Sequence, residues 1–393
     1  MTAQLEKSIC YVATTGKCLA LFLLPQVKYL AAHGWRVAVV ADENARLRRE
    51  LPPEVEYHVL PMTRGVDFFG ALRHIFALRK IFIAGRFTFV HYFMPNAAFY
   101  ASIAAKLAGT PFRYYQLGGL RYSAAGGLKR FLLKTIERIA CGCSTRIISV
   151  SRGNLETAAA DRIFDRKKAI VLGHGGSKAV DLTLFDPAKK TAWRQMRRRE
   201  LGIGENDMVI GFAGSIRRDK GSGELIEAFS ILRRAVPDLK LLLIGDRDFY
   251  STIAKPQRLF AESEPDVIFV PPLDGPSTGI DFEDVPSYEA CLDILAFPSY
   301  REGLPNVVLE CEALEIPVVA ADVPGTPDAM PKTAAPLLVP ARSPEKLAEK
   351  LLELILDPES RRDYGKKGRD FVEKYFNQAI LMEEILREKE ANL

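Results

Sequence analysis

The feature that most constrains this chain is an alternation that runs nearly from end to end. Short runs rich in β-branched and aromatic residues are separated by longer stretches whose apolar residues recur at helical spacing. In the first half the strand-like runs are 8–13, 36–41, 57–60, 88–92, 112–116, 146–150 and 169–172. Helical patterns fill the gaps at 19–32, 68–84, 97–108, 128–141 and 153–160. Strand followed by helix, repeated, predicts a parallel sheet covered on both faces, because consecutive parallel strands need a crossover and the crossover is right-handed.

The pattern breaks once, at GHGGSKAVDLTLFDPAKK (173–190), and then restarts. A basic helix is expected from Thr191. Strands follow at 208–213, 240–244, 267–270, 293–297, 317–320 and 337–339, with helices at 223–235, 250–261, 286–291, 306–315, 344–356 and 359–375. A chain of 393 residues is long enough for two such domains, each with a full core. The expected organisation is a first α/β domain over 1–175, a linker over 176–190, a second α/β domain over 191–375 and a terminal helix over 376–393. Ligands of open α/β sheets bind beyond the carboxyl ends of the strands. The two domains are therefore expected to face a central cleft.

The segment PSYREGLPNVVLECEALEIPVVAADVPGTPD (298–328) carries the sharpest chemistry. A strand enters a loop and then a helix whose first turn suits Pro305, since a missing N–H costs nothing there. The free N–H groups of Leu304, Asn306 and Val307, beside Gly303, would form an anion site at the helix start. Glu310 lies about 7.5 Å further along the axis, at 1.5 Å per residue. Its carboxylate can reach hydroxyls on a group attached to that anion, such as a ribose. Glu302, before the helix, can take the hydroxyls of a second sugar. Two acceptors flanking an anion hole suit a nucleotide diphosphate sugar.

These residues resemble the donor-binding signature of retaining glycosyltransferases of the GT-B fold, glycosyltransferase family 4. Further likenesses lie in GFAGSIRRDKGSGELIEAF (211–229), LLLIGD (241–246), VLGHGGSKAVDLTLF (171–185) and LLVPARSPEKLAEKL (337–351). The resemblance covers nearly the whole chain, and is nearest the branch that builds capsular and O-antigen polysaccharides on polyprenyl diphosphate carriers. It implies two Rossmann-like domains, acceptor in the first and donor in the second, with the terminal helix packed back on the first. It also implies that Lys220 contacts the donor diphosphate and stabilises the departing nucleotide. The family often places Arg where this chain has Ser215, which leaves that charge to Arg217 or Arg218. The family often has a histidine where this chain has Gly118, which leaves contact with the transferred sugar to Gln116 or to the backbone of Gly118–Gly119. His91, read as the end of the fourth strand, is the best histidine candidate in the first domain. Gly16, in TTGK after the first strand, matches the glycine of the family's acceptor loop.

Charge narrows the partners. Residues 1–190 hold 28 Lys and Arg against 13 Asp and Glu, a balance of +15, whereas residues 191–393 hold 26 against 36, a balance of −10. A basic half seeks an anionic partner. No nucleic-acid motif supports DNA or RNA. Two basic amphipathic patterns, 71–83 and 128–139, point instead to an anionic membrane surface, with Arg130, Lys134 and Arg138 spaced as one stripe. The uncharged run 87–105 reads as strand, turn and helix capped by Asn96 rather than as a membrane span. No secretory leader is evident, and the six cysteines show no metal-ligand spacing. There is no Walker loop and no complete GxGxxG, so no dinucleotide is expected, and the GT-B resemblance implies no metal. The expected activity is transfer of a sugar from a nucleotide donor, a UDP-sugar with UDP-N-acetylhexosamines among the candidates, to a lipid-linked glycan at the cytoplasmic face of the inner membrane. The alternatives are a sugar-nucleotide epimerase of the same fold and a non-catalytic accessory subunit.

Overall fold

The computed structural model describes residues 5–62, 68–270 and 282–393. The chain divides into two compact units, one running to Lys178 and including Gln378–Leu393, the other Ala179–Asn377. The first contains β1 (Ser8–Ala13), β2 (Arg36–Ala41), β3 (Glu56–Val59), β4 (Phe89–Phe93), β5 (Phe112–Leu117), β6 (Arg146–Ser149) and β7 (Ala169–Ile170). All pair in parallel, in the order β3-β2-β1-β4-β5-β6-β7. The second contains β8 (Met208–Ala213), β9 (Leu239–Ile244), β10 (Val267–Val270), β11 (Ile294–Phe297), β12 (Val318–Ala321) and β13 (Leu338–Val339), again parallel, in the order β10-β9-β8-β11-β12-β13. Each expected strand is present, with its ends displaced by at most two residues. Both sheets are doubly wound, and strand order reverses between β1 and β4 and between β8 and β11.

The period of two along each strand explains the burial. Cys10, Val12, Val40, Val90 and Tyr92 enter one apolar cluster of the first unit, while Ile9, Tyr11, Val39, Phe89 and Tyr114 enter another. Both faces of the sheet are covered, so its strands read as nearly continuous apolar runs.

Helix boundaries depart from the expectation where proline intervenes. The expected helix 19–32 is two helices, Gly16–Phe22 and Leu24–Ala32, because Pro25 cannot donate to a continuing ladder and instead begins a new one. Pro256 likewise begins Lys255–Ser263 after the short turn Tyr250–Thr252. The basic helix starts at Pro187, capped by Asp186, four residues before Thr191. A short helix, Ala45–Glu50, was not expected; Asn44 caps it by accepting from the Leu47 N–H at 2.8 Å. The helix after β4 runs from Pro95 to Leu107 with Met94 at its cap, while Asn96 accepts from Arg121 at 3.2 Å instead of capping. Among the described residues no helix is long and apolar enough to cross a membrane.

The helix Gln378–Glu390 belongs to the first unit and packs on Leu24–Ala32. Its Lys389 is 1% exposed. The Lys389 Nζ lies 3.5 Å from His91 Nδ1, and 4.9, 5.8 and 6.0 Å from the ring centres of Tyr114, Phe89 and Tyr11. The neighbouring Glu388 instead pairs with Arg146 at 2.8 Å and accepts from the Tyr114 hydroxyl at 3.4 Å. Burial pushes the Lys389 ammonium down to about 7 from 10.5. Between these values the unfolded chain binds a proton that the folded chain does not, so stability rises with pH across that window. Replacing Lys389 with Met is expected to flatten the rise in melting temperature between about pH 7 and pH 10.5. Thermal unfolding of both proteins over that range checks it, and parallel curves would reject it.

Candidate active site

The strand-order reversal of the second unit brings two loops together. One follows β8 (Gly214–Gly221); the other follows β11 and leads into the helix Asn306–Ala313. The Tyr300 N–H donates to the Asp219 carbonyl at 3.0 Å. Gly221 has φ of 72°, and a Cβ there would lie 2.1 Å from the Pro298 carbonyl oxygen, so only glycine allows this approach. The loop then enters the helix Ser222–Leu232.

Across this junction Lys220 Nζ meets Glu302 Oε1 at 2.7 Å, the lysine side chain being about one quarter exposed and the glutamate one tenth. A carboxylate and an ammonium so placed have the chemistry to take a ligand that carries both negative charge and hydroxyls. Arg217 pairs with Asp219 at 2.7 Å, and Arg301 reaches the same carboxylate at 3.0 Å. The Ser215 hydroxyl donates to Asp246 at 2.9 Å, so it does not replace a cation. Of the two arginines left open by the sequence, Arg217 is turned toward Asp219, whereas Arg218 lines a separate cavity.

Pro305 is the cap of the helix Asn306–Ala313 rather than its first residue. Gly303, Asn306 and Val307 are half-buried at its start and Leu304 is buried. Glu310 sits in the second turn and is buried, not on the open helix surface. Lys220, Glu302 and Arg217 are thus brought together by two loops, with Glu310 one turn deeper.

In the first unit the loop after β1 is fixed by Gly16, whose N–H donates to Asp42 Oδ1 at 2.6 Å. A Cβ at Gly16 would lie 2.5 Å from the Asn44 Cβ. Gly118 follows β5 and is half-buried. His91 lies in the middle of β4, not at its end. It is 1% exposed and stacks on Tyr11 at 5.0 Å. Burial, together with the nearby Lys389 charge, holds it well below the usual histidine range, so it is neutral. Gln116 is also buried: it accepts from Gln26 at 3.5 Å, and Gln26 donates to the Ser177 carbonyl at 2.6 Å. Gly16 and Gly118 therefore stand at the carboxyl edge of the sheet, while His91 and Gln116 belong to a polar network within the unit.

Sequence reasoning missed Asp219, Arg301 and Asp246. The first two flank singled-out residues directly, Asp219 beside Lys220 and Arg301 beside Glu302, which was the available signal. Among the described residues no cluster of His, Cys, Asp and Glu could hold a metal ion.

Each half of the chain is similar to known proteins. Residues 194–371 match the glycosyl transferases group 1 family, and residues 20–175 match the glycosyl transferase 4-like domain. The capsular polysaccharide biosynthesis glycosyltransferase CapM of Staphylococcus aureus is 28% identical over 97% of this chain and 96% of its own length. The UDP-Gal:alpha-D-GlcNAc-diphosphoundecaprenol alpha-1,3-galactosyltransferase of Escherichia coli is 21% identical over 77% of this chain and 75% of its own. The crystal structure of Anabaena Alr3699/HepE in complex with UDP-glucose has a TM-score of 0.77, covering 98% of this chain and 100% of that one at 17% identity, a likeness of fold. The two family matches, one to each half of the chain, and the likeness of fold make the chain a glycosyltransferase of the GT-B fold.

Proposed function

We propose that the chain transfers a sugar, with retention of anomeric configuration, from a UDP-sugar to a polyprenyl diphosphate-linked glycan in cell-surface polysaccharide synthesis. The observation that carries this reading is the Lys220–Glu302 pair at the strand-order reversal, with Glu310 one helical turn beyond. A donor diphosphate offers Lys220 a stronger partner than Glu302. Lys220 and the free N–H groups at the start of Asn306–Ala313 then face the charge that develops on the departing diphosphate. Glu302, freed, accepts hydroxyls of the sugar being moved. Glu310 accepts those of the ribose. The acceptor hydroxyl attacks from the face the diphosphate leaves, which keeps the configuration, and catalysis rests on positioning and leaving-group stabilisation. The capsular relative supports the polysaccharide role, and the galactosyltransferase supports an acceptor carried on a polyprenyl diphosphate, by the words of its name.

Glu310→Ala is expected to weaken UDP binding by about 10- to 150-fold, the loss of charged hydrogen bonds worth about 1.5–3 kcal/mol. Lys220→Ala is expected to lower turnover by about 100-fold or more. Calorimetric titration with UDP and UDP release in the presence of a lipid-linked acceptor measure the two effects. Full binding and turnover in both variants would overturn the assigned site.

Docking on the cytoplasmic face of an anionic membrane is the second part of the reading. The helices Phe68–Gly85 and Gly127–Cys143 both pack on Pro95–Leu107. The second exposes Leu128, Phe131, Leu132 and Ile139 along one stripe, flanked by Lys129; the first exposes Phe69, Leu72 and Phe76 near Arg73, Arg79 and Lys80. The stripe of Arg130, Lys134 and Arg138 is turned elsewhere. Lys134 pairs with Asp161 at 2.6 Å, and Arg138 donates to the carbonyls of Asp161 and Arg162 at 3.1 Å. The apolar stripe is therefore the part left to enter a bilayer interface, with neighbouring cations meeting headgroups at about 1 kcal/mol each. Co-sedimentation with vesicles containing anionic lipid should fall with salt, and should fall at least fivefold when Leu128 and Phe131 become Glu. Equal binding to neutral vesicles, or an unaffected variant, would count against it.

A further inference from the structure

The second unit holds another cavity of about 410 Å³, lined by Arg218, Glu224, Thr252, Gln257, Tyr300 and Arg342 among others. It shares no residue with the Lys220–Glu302 pair or with Glu310. Its place in the fold differs too. The crossover from β8 to β9 and that from β11 to β12 leave the strand-order reversal in opposite directions, so right-handed connections put their helices on opposite faces of the sheet. Glu310 rides on the second of these helices. The cavity belongs to the first, Ser222–Leu232, and to Lys255–Ser263, which packs against it.

The geometry points to a binding site for a phosphorylated sugar behind the loop that carries Lys220. Two guanidinium groups face the cavity, and among the described residues neither Arg218 nor Arg342 is paired with a carboxylate. Arg342 rests over the Tyr300 ring, 4.5 Å from its centre, and is held there with a left-handed backbone, φ of 62°, that is costly for a residue other than glycine. The Arg218 N–H donates to the Thr252 hydroxyl at 3.0 Å, and that hydroxyl donates to the Phe249 carbonyl at 2.6 Å, so the rim is fixed at this side. Two arginines about a small polar cavity are the arrangement that takes a phosphoryl group by charge-assisted hydrogen bonds.

The remaining lining takes hydroxyls rather than anions. The Glu224 carboxylate already accepts from the Tyr300 hydroxyl and retains further acceptor capacity. The Gln257 amide nitrogen donates to Glu227, while its buried carbonyl oxygen has no donor among the described residues. A simple anion would leave this acceptor unused and would meet the charge of Glu224. A ligand with a phosphoryl group at one end and hydroxyls at the other satisfies both ends. Arg218 shares a single turn of 3-10 helix with Lys220, and Tyr300 lies two residues before Glu302. An occupant bridging Arg218 and Tyr300 therefore braces both loops of the candidate active site from behind.

Titration calorimetry with glucose 1-phosphate tests this on the full chain, run with saturating UDP and again on Lys220→Ala without UDP. The expected result is one-to-one binding in both settings. It should weaken at least tenfold in the Arg218→Ala, Arg342→Ala double variant, and inorganic phosphate should bind at least tenfold less tightly than the sugar phosphate. Arg342→Gln alone serves if the double variant does not fold, with a weakening of at least threefold expected. Absence of binding in both settings, unchanged binding in the arginine variants, or equal affinity for inorganic phosphate would overturn the proposal.

Discussion

The close approach of two loops at the strand-order reversal of the second sheet is the constraint on which the candidate site depends. Crossovers that leave β8 and β11 in opposite directions open a crevice at their carboxyl ends, and only the loops can fill it. Gly221 lets one loop touch the backbone of the other, and Asp219 ties them by accepting from the Tyr300 N–H through its carbonyl and from Arg217 and Arg301 through its carboxylate. The Lys220–Glu302 pair follows from that contact. A side chain at position 221 would separate the loops before it affected any charge, so the electrostatics of the site rests on a steric fact.

The first unit solves a different problem. Its sheet is apolar on both faces, yet it buries Tyr11, Gln26, His91, Gln116 and Lys389. Burial of polar groups is costly unless they pair. The Tyr11 hydroxyl donates to Gln26 at 3.1 Å, Gln26 reaches Ser177, and Lys389 meets His91 beneath three aromatic rings. This network joins the terminal helix and the segment near Ser177 to the centre of the sheet. A second buried pair, the Tyr115 hydroxyl on Glu137 at 2.8 Å, anchors the helix Gly127–Cys143, and burial lifts the Glu137 carboxyl to about 7. That internal tether is compatible with an outer face that stays apolar and free.

Legibility in the sequence followed the range of the interaction that fixes each feature. Strands were legible because a doubly covered parallel sheet demands continuous apolar runs, which local composition records. Helix ends were less so. Pro25 and Pro256 lay in plain view, but whether a proline ends one helix or starts the next depends on what the flanking turn packs against. The interior place of His91 was not legible, because its neighbours in sequence show only a strand. Tyr11 and Lys389, which bury it, are 80 and 298 residues away. The stripe of Arg130, Lys134 and Arg138 had the right spacing for a shared face. What that face meets, Asp161 and the carbonyls beside it, is set by the packing of another helix.

The sequence by itself determined two parallel α/β sheets and the loop-to-helix pattern of one segment, Glu302 to Glu310, because strand period, helix start and short-range spacing are local properties of the chain. Only the tertiary structure decided that Lys220 faces Glu302, that Arg217 turns to Asp219 while Arg218 faces a separate cavity, and that His91 and Gln116 are interior. Those outcomes rest on contacts between elements far apart in sequence, where a side chain's direction depends on which strand the fold places beside it.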